Sequence, residues 1–304
     1  MEKDTVLVIG DINIDLALHA EKYPPEGGEA HADQAGFRLG GSGCATAVCL
    51  SLLGLPTALA ANLGDDLFAD FALEHMRASG LDDSLVRRLP GQQTGFFMIL
   101  VTPDGGRTMF GGRGANRKAP ERETLLERLP HVRHLHVSGY TLQEDGQHAL
   151  VREAVEKARG LGVTLSLDPG VCASEHNGER LRGLLRLVDW FLPSREELAL
   201  LSGSEGIEKG IADMLALGCG AVALKLGADG SRYDDGETRC GAPAVMEPGA
   251  GIIDTTCAGD CFNAGFLQGV LAGEAPGEAL RMGGEAAFRL ITAPRGLISL
   301  INDS

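Results

Sequence analysis

The sequence predicts an α/β protein: a mostly parallel sheet covered by helices on both faces. Three observations lead there. From about residue 130 onward, short apolar runs alternate with amphipathic stretches of helical period, the pattern of successive βα units. Gly is abundant at 43 of 304 residues while aromatics make up 5%, which suits many tight strand-to-helix turns. Two extended, Gly- and Pro-broken stretches interrupt the alternation and read as a small β-layer added to one end of the sheet.

Taken in order, Thr5-Val-Leu-Val-Ile-Gly10 is an apolar run closed by Gly, the form of a buried first strand. Residues 15–38 are extended pieces broken by Pro24-Pro25 and Gly27-Gly28. Residues 43–53 turn helical and stop at Gly54 and Pro56. A strand over 57–62 and a helix over 65–79 follow. Residues 95–102, the turn Pro103-Asp-Gly-Gly106 and residues 107–110 form a hairpin signal. Further strands are expected over 134–137, 164–168, 189–192 and 221–226. Helices are expected over 124–128, 145–159, 179–187, 195–201 and 207–217, with two more, 258–271 and 276–292, finishing the chain. No linker or internal repeat divides it, so the expectation is one domain over 1–304 with a lid made of about 15–38 and 95–112.

The net charge of −15 argues against a nucleic-acid binder, which needs excess Lys and Arg to neutralise phosphates. One nucleotide remains compatible, since backbone N–H groups and a metal can supply local positive field. The seven cysteines are scattered singly without a C-x-x-C pair, which reads as reduced thiols. Glu2, Asp4, Asp11 and Asp15 interrupt any leader-like apolar stretch, and no run suits a membrane span. The expectation is a soluble cytoplasmic protein with no membrane partner.

The chemistry concentrates in Asp254-Thr-Thr-Cys-Ala-Gly-Asp260, which opens onto a helical pattern. Small residues let the backbone approach a ligand, and N–H groups at a helix start attract anions. A carboxylate in that first turn can take a proton from an attacking hydroxyl. The same triplet Ala258-Gly259-Asp260 also reads as an ordinary helix cap. A Walker-type loop is excluded, because none of the six lysines follows a Gly. Cys257 as a nucleophile lacks a neighbouring His. His131, His134 and His136 lack a carboxylate partner and read as ordinary strand and turn residues.

Taken whole, Asp254 to Gly265 resembles the second signature of the ribokinase-like (PfkB) carbohydrate kinase family, D-T-x-G-A-G-D-x-F-x-A-G. Gly40-Gly-Ser-Gly-Cys-Ala-Thr-Ala47 is similar to its first signature, Gly10-Asp-Ile-Asn-Ile-Asp15 to its opening strand and turn, Phe191-Leu-Pro-Ser-Arg-Glu-Glu197 to its P-N-x-x-E segment, and Leu224-Lys-Leu-Gly-Ala-Asp-Gly230 to its nucleotide turn. The resemblance implies a three-layer αβα sandwich with a small β-sheet lid, and ATP-dependent phosphorylation of a hydroxymethyl group.

Residue by residue, it implies that Asp260 is the base and that the backbone of Cys257, Ala258 and Gly259 forms the anion hole. Cys257 replaces the family's Gly, which a small side chain tolerates if its φ is negative. Asn13, Asp15, Gly40, Gly41, Ser42, Arg113 and Tyr140 fall at substrate positions. Ala45 and Ser42 stand where ribokinase carries Asn and Lys, which puts ribose itself in doubt. Arg113 points to an acid sugar of 2-keto-3-deoxygluconate type, and Tyr140 to a nucleoside. Ser194, Lys225, Gly227 and Gly230 would meet the nucleotide, Glu197 would organise Mg²⁺ through water, and Asp254 with the carbonyls near 293–296 resembles a K⁺-type monovalent-cation site. A homodimer through the lid is the implied assembly.

Overall fold

Strand β1 (Thr5–Ile9) alternates its side chains between two cores: Val6 and Val8 pack into one, Leu7 and Ile9 into the other. A strand apolar on both faces belongs inside a sheet covered twice. The computed structural model describes residues 4–103, 107–247 and 249–302. Its main sheet gathers β1, β4 (Thr57–Leu63), β5 (Val86–Arg88), β8 (Val132–Ser138), β9 (Thr164–Asp168), β10 (Trp190–Phe191), β11 (Ala221–Lys225), β12 (Ser231–Asp234) and β13 (Arg239–Ala242). The order is β13-β12-β11-β10-β9-β8-β1-β4-β5. From β11 to β5 all neighbours are parallel, and only the β11-β12-β13 edge is antiparallel.

One face carries α1 (Ser42–Leu52), α8 (Ala258–Ala272) and α9 (Pro276–Ile291), with α2 (Leu67–Ala78) at its side. The other carries α3 (Arg122–Arg128), α4 (Asp145–Gly160), α5 (Val171–Leu184), α6 (Arg195–Ser202) and α7 (Ile207–Ala216). A separate four-stranded sheet has the order β3 (Gln34–Gly40), β2 (Asn13–His19), β6 (Gly95–Val101), β7 (Arg107–Gly112). These strands come from the two stretches read as a β-layer. The expected hairpin turn at 104–106 lies outside the described residues.

Four differences from the sequence reading have physical reasons. Strands β12 and β13 escape because Arg, Asp and Gly dominate 231–242 and the edge is half solvated. Strand β5 is only three residues long. Helix α5 begins eight residues before the expected 179, with a non-helical kink at Asn177, so Pro169-Gly170 starts a helix that the periodicity does not reveal. A third terminal helix, α10 (Leu297–Asn302), follows the two expected ones; its Leu297, Ile298 and Ile301 are buried against α1 and α9.

Candidate active site

In an open α/β sheet, ligands bind beyond the carboxyl ends of the parallel strands. Here those ends deliver Asp11 after β1, Tyr140 after β8, Asp168 at the end of β9, Ser194 after β10 and Lys225 at the end of β11. The N-terminus of α8 brings Asp260 to the same rim, in its first turn. Ser42, at the start of α1, donates to Asp260 Oδ1 at 2.7 Å. Ser42, expected among the substrate contacts, thus holds the candidate base. Burial pushes the Asp260 carboxyl up to about 8, helped by the negative charge of Asp168; Ser42 and Lys225 pull the other way. A carboxylate that gains and loses its proton near neutrality can accept one from an alcohol as a phosphoryl group arrives.

Cys257 caps α8 with φ 63° and ψ 10°, the only positive φ outside glycine among the described residues. The tolerance expected for Cys257 assumed a negative φ, and the structure overturns that assumption. A Cβ in the left-handed region costs about 1–2 kcal/mol, which explains why Gly suits this position. Burial pushes the Cys257 thiol well up, with Asp260 and Asp15 adding to the effect, which disfavours the thiolate that attack requires. Ala258 and Gly259 follow with no large side chain to cover their N–H groups.

Beneath the turn, Lys225 Nζ donates to Asp168 Oδ2 at 2.8 Å and to Asn263 Oδ1 at 3.2 Å. Asn263 also donates to Asp168. A Cβ added to Gly259 would lie 3.5 Å from Lys225 Nζ, so the ammonium sits beside the anion site. Burial pulls Lys225 down, but Asp168 and Glu197 outweigh it and hold it above its usual range. Asp168 is conversely pushed up by burial and brought below its usual value by Lys225 and its bonds. Glu197 closes a capping box on α6: its Oε2 accepts from Ser194 N at 2.7 Å, while Ser194 Oγ accepts from Glu197 N at 3.2 Å. Burial, then Asp168, raises Glu197 to about 7. Ser194, expected at the nucleotide, serves this cap. Gly227 and Gly230 both take positive φ in the turn between β11 and β12. A Cβ on Gly230 would stand 2.1 Å from the Ala242 carbonyl oxygen, so only glycine fits there.

On the other side lie the expected substrate residues. Asp15 on β2 is buried, and none of the described residues makes a side-chain hydrogen bond to it. Burial, then the Asp11 charge, raises it to about 7. A Cβ on Gly40 would collide with Asp15 Oδ2 at 2.3 Å. Gly41, at φ 93°, lies against the Asp11 backbone. Both glycines thus answer to internal packing. Asn13 is engaged internally, accepting from Asn116 Nδ2 at 2.9 Å and donating to Asp11 Oδ2 at 3.3 Å. Arg113 Nη2 donates to the carbonyls of Asn116 and Tyr140 at 3.1 and 2.8 Å and to Gln147 Oε1 at 3.4 Å, tying two rim loops together. The Tyr140 ring packs on Gly170; burial, then Asp11, raises its phenol.

Asp254 stands apart from its expected role. Arg38, on β3, pairs with its Oδ2, and Thr256 donates to its Oδ1 from backbone and hydroxyl at 2.8 and 2.7 Å. Both oxygens are engaged, one by a full positive charge, so these residues do not fit a bound monovalent cation. Carboxylates that would hold a divalent cation through water gather elsewhere. Asp168, Glu197 and Asp260 gather around the Lys225 ammonium, and burial first, then the Asp168 charge, raises the carboxyls of Glu197 and Asp260. No group of three ligating side chains is assembled among the described residues.

Sequence reasoning missed Asp11, Asp168, Asn263 and Arg38 as site residues. Asp11 and Asp168 do follow apolar strands directly, and that position is the signal that could reveal them. His134 and His136 are buried, bonded to Ser166 at 2.8 and 2.7 Å, and held below their usual values by burial, as ordinary core residues. No described helix is long and apolar enough to cross a membrane.

Comparison with known proteins accords with this geometry. The model of the pfkB family carbohydrate kinases matches residues 3–300. The chain is 30% identical to a ribokinase of Arabidopsis thaliana over 294 residues, covering 93% of this chain and 74% of that protein. It is likewise 30% identical to an ATP-dependent ribose-1-phosphate kinase of Halopiger xanaduensis over 266 residues, 86% and 83% of the two chains. The structure of Arabidopsis thaliana ribokinase complexed with ribose and ATP superimposes with a TM-score of 0.85 at 26% identity, over 98% of this chain and 96% of that one.

Proposed function

Because the chain belongs to the pfkB family of carbohydrate kinases, we propose that it transfers the γ-phosphoryl group of ATP to a hydroxymethyl group of a neutral sugar, with Asp260 as general base. The observation that carries this reading is Asp260 itself, held by Ser42 in the first turn of α8 beside Lys225. The acceptor hydroxyl gives its proton to Asp260 as its oxygen attacks phosphorus. The N–H groups of Cys257, Ala258 and Gly259 and the Lys225 ammonium take up the charge on the phosphoryl oxygens. Bound near Glu197 and Asp168, Mg²⁺ would neutralise phosphate charge. The turn at Gly227 and Gly230 would receive the nucleoside end of ATP.

Asp15 supports a polyol acceptor: a buried carboxylate with no hydrogen-bond donor among the described residues suits two vicinal hydroxyls. The Nη2 of Arg113 is committed to carbonyl oxygens, while Nη1 has no hydrogen bond among the described residues and lies 3.6 Å from Glu144. That carboxylate already balances its charge, which supports a neutral acceptor. The small sheet would close over the acceptor as a lid and keep water from the phosphoryl group. On the face away from Asp15, Phe37 and Phe110 are about half exposed, a surface suited to pairing two copies.

ADP release measured over ribose, fructose, 2-keto-3-deoxygluconate, adenosine and inosine tests the reading. A neutral sugar should give the highest turnover. Preference for the acid sugar or a nucleoside would replace the acceptor class, and no turnover above background ATP hydrolysis with any sugar or nucleoside would remove the kinase reading.

A further inference from the structure

Arg38 stands on β3 with its Cα in register opposite Asp15 of β2. Its side chain leaves the small sheet, and Nη1 donates to Asp254 Oδ2 in the loop before α8. The pair is secluded, with side chains 14% and 6% exposed. The small cavity around it is lined by Asp15, Thr256, Cys257, Gly296 and Leu297 among others. Arg38 therefore occupies the neighbourhood where the family resemblance implies a monovalent cation.

A buried carboxylate needs a compensating charge. An ion from solution can supply it, but here the charge is tethered to the chain. A second cation on the same carboxylate would meet the guanidinium at short range, in a site with little water to screen the repulsion. The carboxylate so neutralised also fixes the Thr256 turn, one residue ahead of Cys257.

We propose that Arg38 is a built-in replacement for a monovalent cation, so that this enzyme works without added K⁺. Arg38 is a positioning residue: it acts through Asp254 on the turn that presents the N–H groups of 257–259. Because it reaches there from the sheet carrying Asp15, it also links acceptor binding to the phosphoryl site. The proposal rests on the phosphoryl-transfer reading, so its test includes a measurement that needs no turnover.

Wild type, Arg38→Ala and Arg38→Lys are compared in potassium chloride and in tetramethylammonium chloride at equal ionic strength. Melting temperature is read without substrate, and turnover with the best acceptor. Wild type should melt and turn over alike in both salts. Arg38→Ala should lose about tenfold or more in kcat in tetramethylammonium, and K⁺ should raise both its kcat and its melting temperature by binding the vacated carboxylate. Arg38→Lys should behave as wild type. If the Ala variant does not fold, Arg38→Met keeps the packing and removes the charge, and the same K⁺ response is expected of it. Activation of wild type by K⁺, or variants blind to K⁺ in both measurements, would overturn the proposal. If no acceptor is turned over, the melting data still decide the role of Arg38, while the kinase reading alone fails.

Discussion

Asp260 combines two demands that oppose each other. Its carboxylate must ionise to act as a base, yet burial and Asp168 hold its proton up to about 8. With the native value above the unfolded one, the folded state keeps a proton that the unfolded chain releases. Stability is then fully present below about pH 4 and is lost as pH rises toward 8. Asp260→Asn should therefore melt above wild type at pH 9, with the gap closing toward pH 4, while kcat falls by about 10²–10⁴. In wild type, kcat/KM should rise with pH up to about 8 and then level, as read from a pH–rate profile. Cys257 is strained in its own way, since its left-handed φ favours glycine. Cys257→Gly should gain about 1 kcal/mol in denaturant unfolding and keep turnover. A loss of stability would show that Cys257 packing outweighs its backbone strain.

At the scale of elements, the site depends on where helices begin. Helix α6 starts with the Ser194–Glu197 capping box, which also fixes the carboxylate facing Asp168. Ser194→Ala should cost about 1 kcal/mol by removing the cap. Glu197→Gln should raise the Mg²⁺ concentration needed for half-maximal turnover, and an unchanged Mg²⁺ curve would separate Glu197 from the metal. Much of this level was legible beforehand. β1, β4 and β9 announce themselves as apolar runs, and α8 as a helix opened by small residues. The edge hairpin β12–β13 was not legible, because its polar residues carry no alternation. Nor was the first half of α5, whose Cys, Ser and Asn residues give no apolar stripe.

For the molecule as a whole, two separated stretches of chain build one small sheet, and β2 pairs in parallel with β6 from residues about eighty positions later. That sheet carries Asp15 and Arg38 side by side on one face and leaves Phe37 and Phe110 about half exposed on the other. If the outer face joins two copies, wild type should sediment as a dimer and Phe110→Glu as a folded monomer. A monomeric wild type across the working concentration range would remove the dimer.

The sequence by itself determined the parallel αβα architecture, the placement of Asp260 at a helix start and the family to which these motifs belong. Those features are local: apolar periodicity, small residues at a turn, and motifs confined to a dozen positions. What only the tertiary structure decided was the company each charge keeps. Ser42 turned out to hold the base, Asn13 and Arg113 to be engaged by neighbouring loops, and Asp168 to pair with Lys225. Asp254 became the partner of an arginine 216 positions away. Coulombic pairing and desolvation depend on distance in space, and no local pattern in the chain records which carboxylate will be neutralised by which cation.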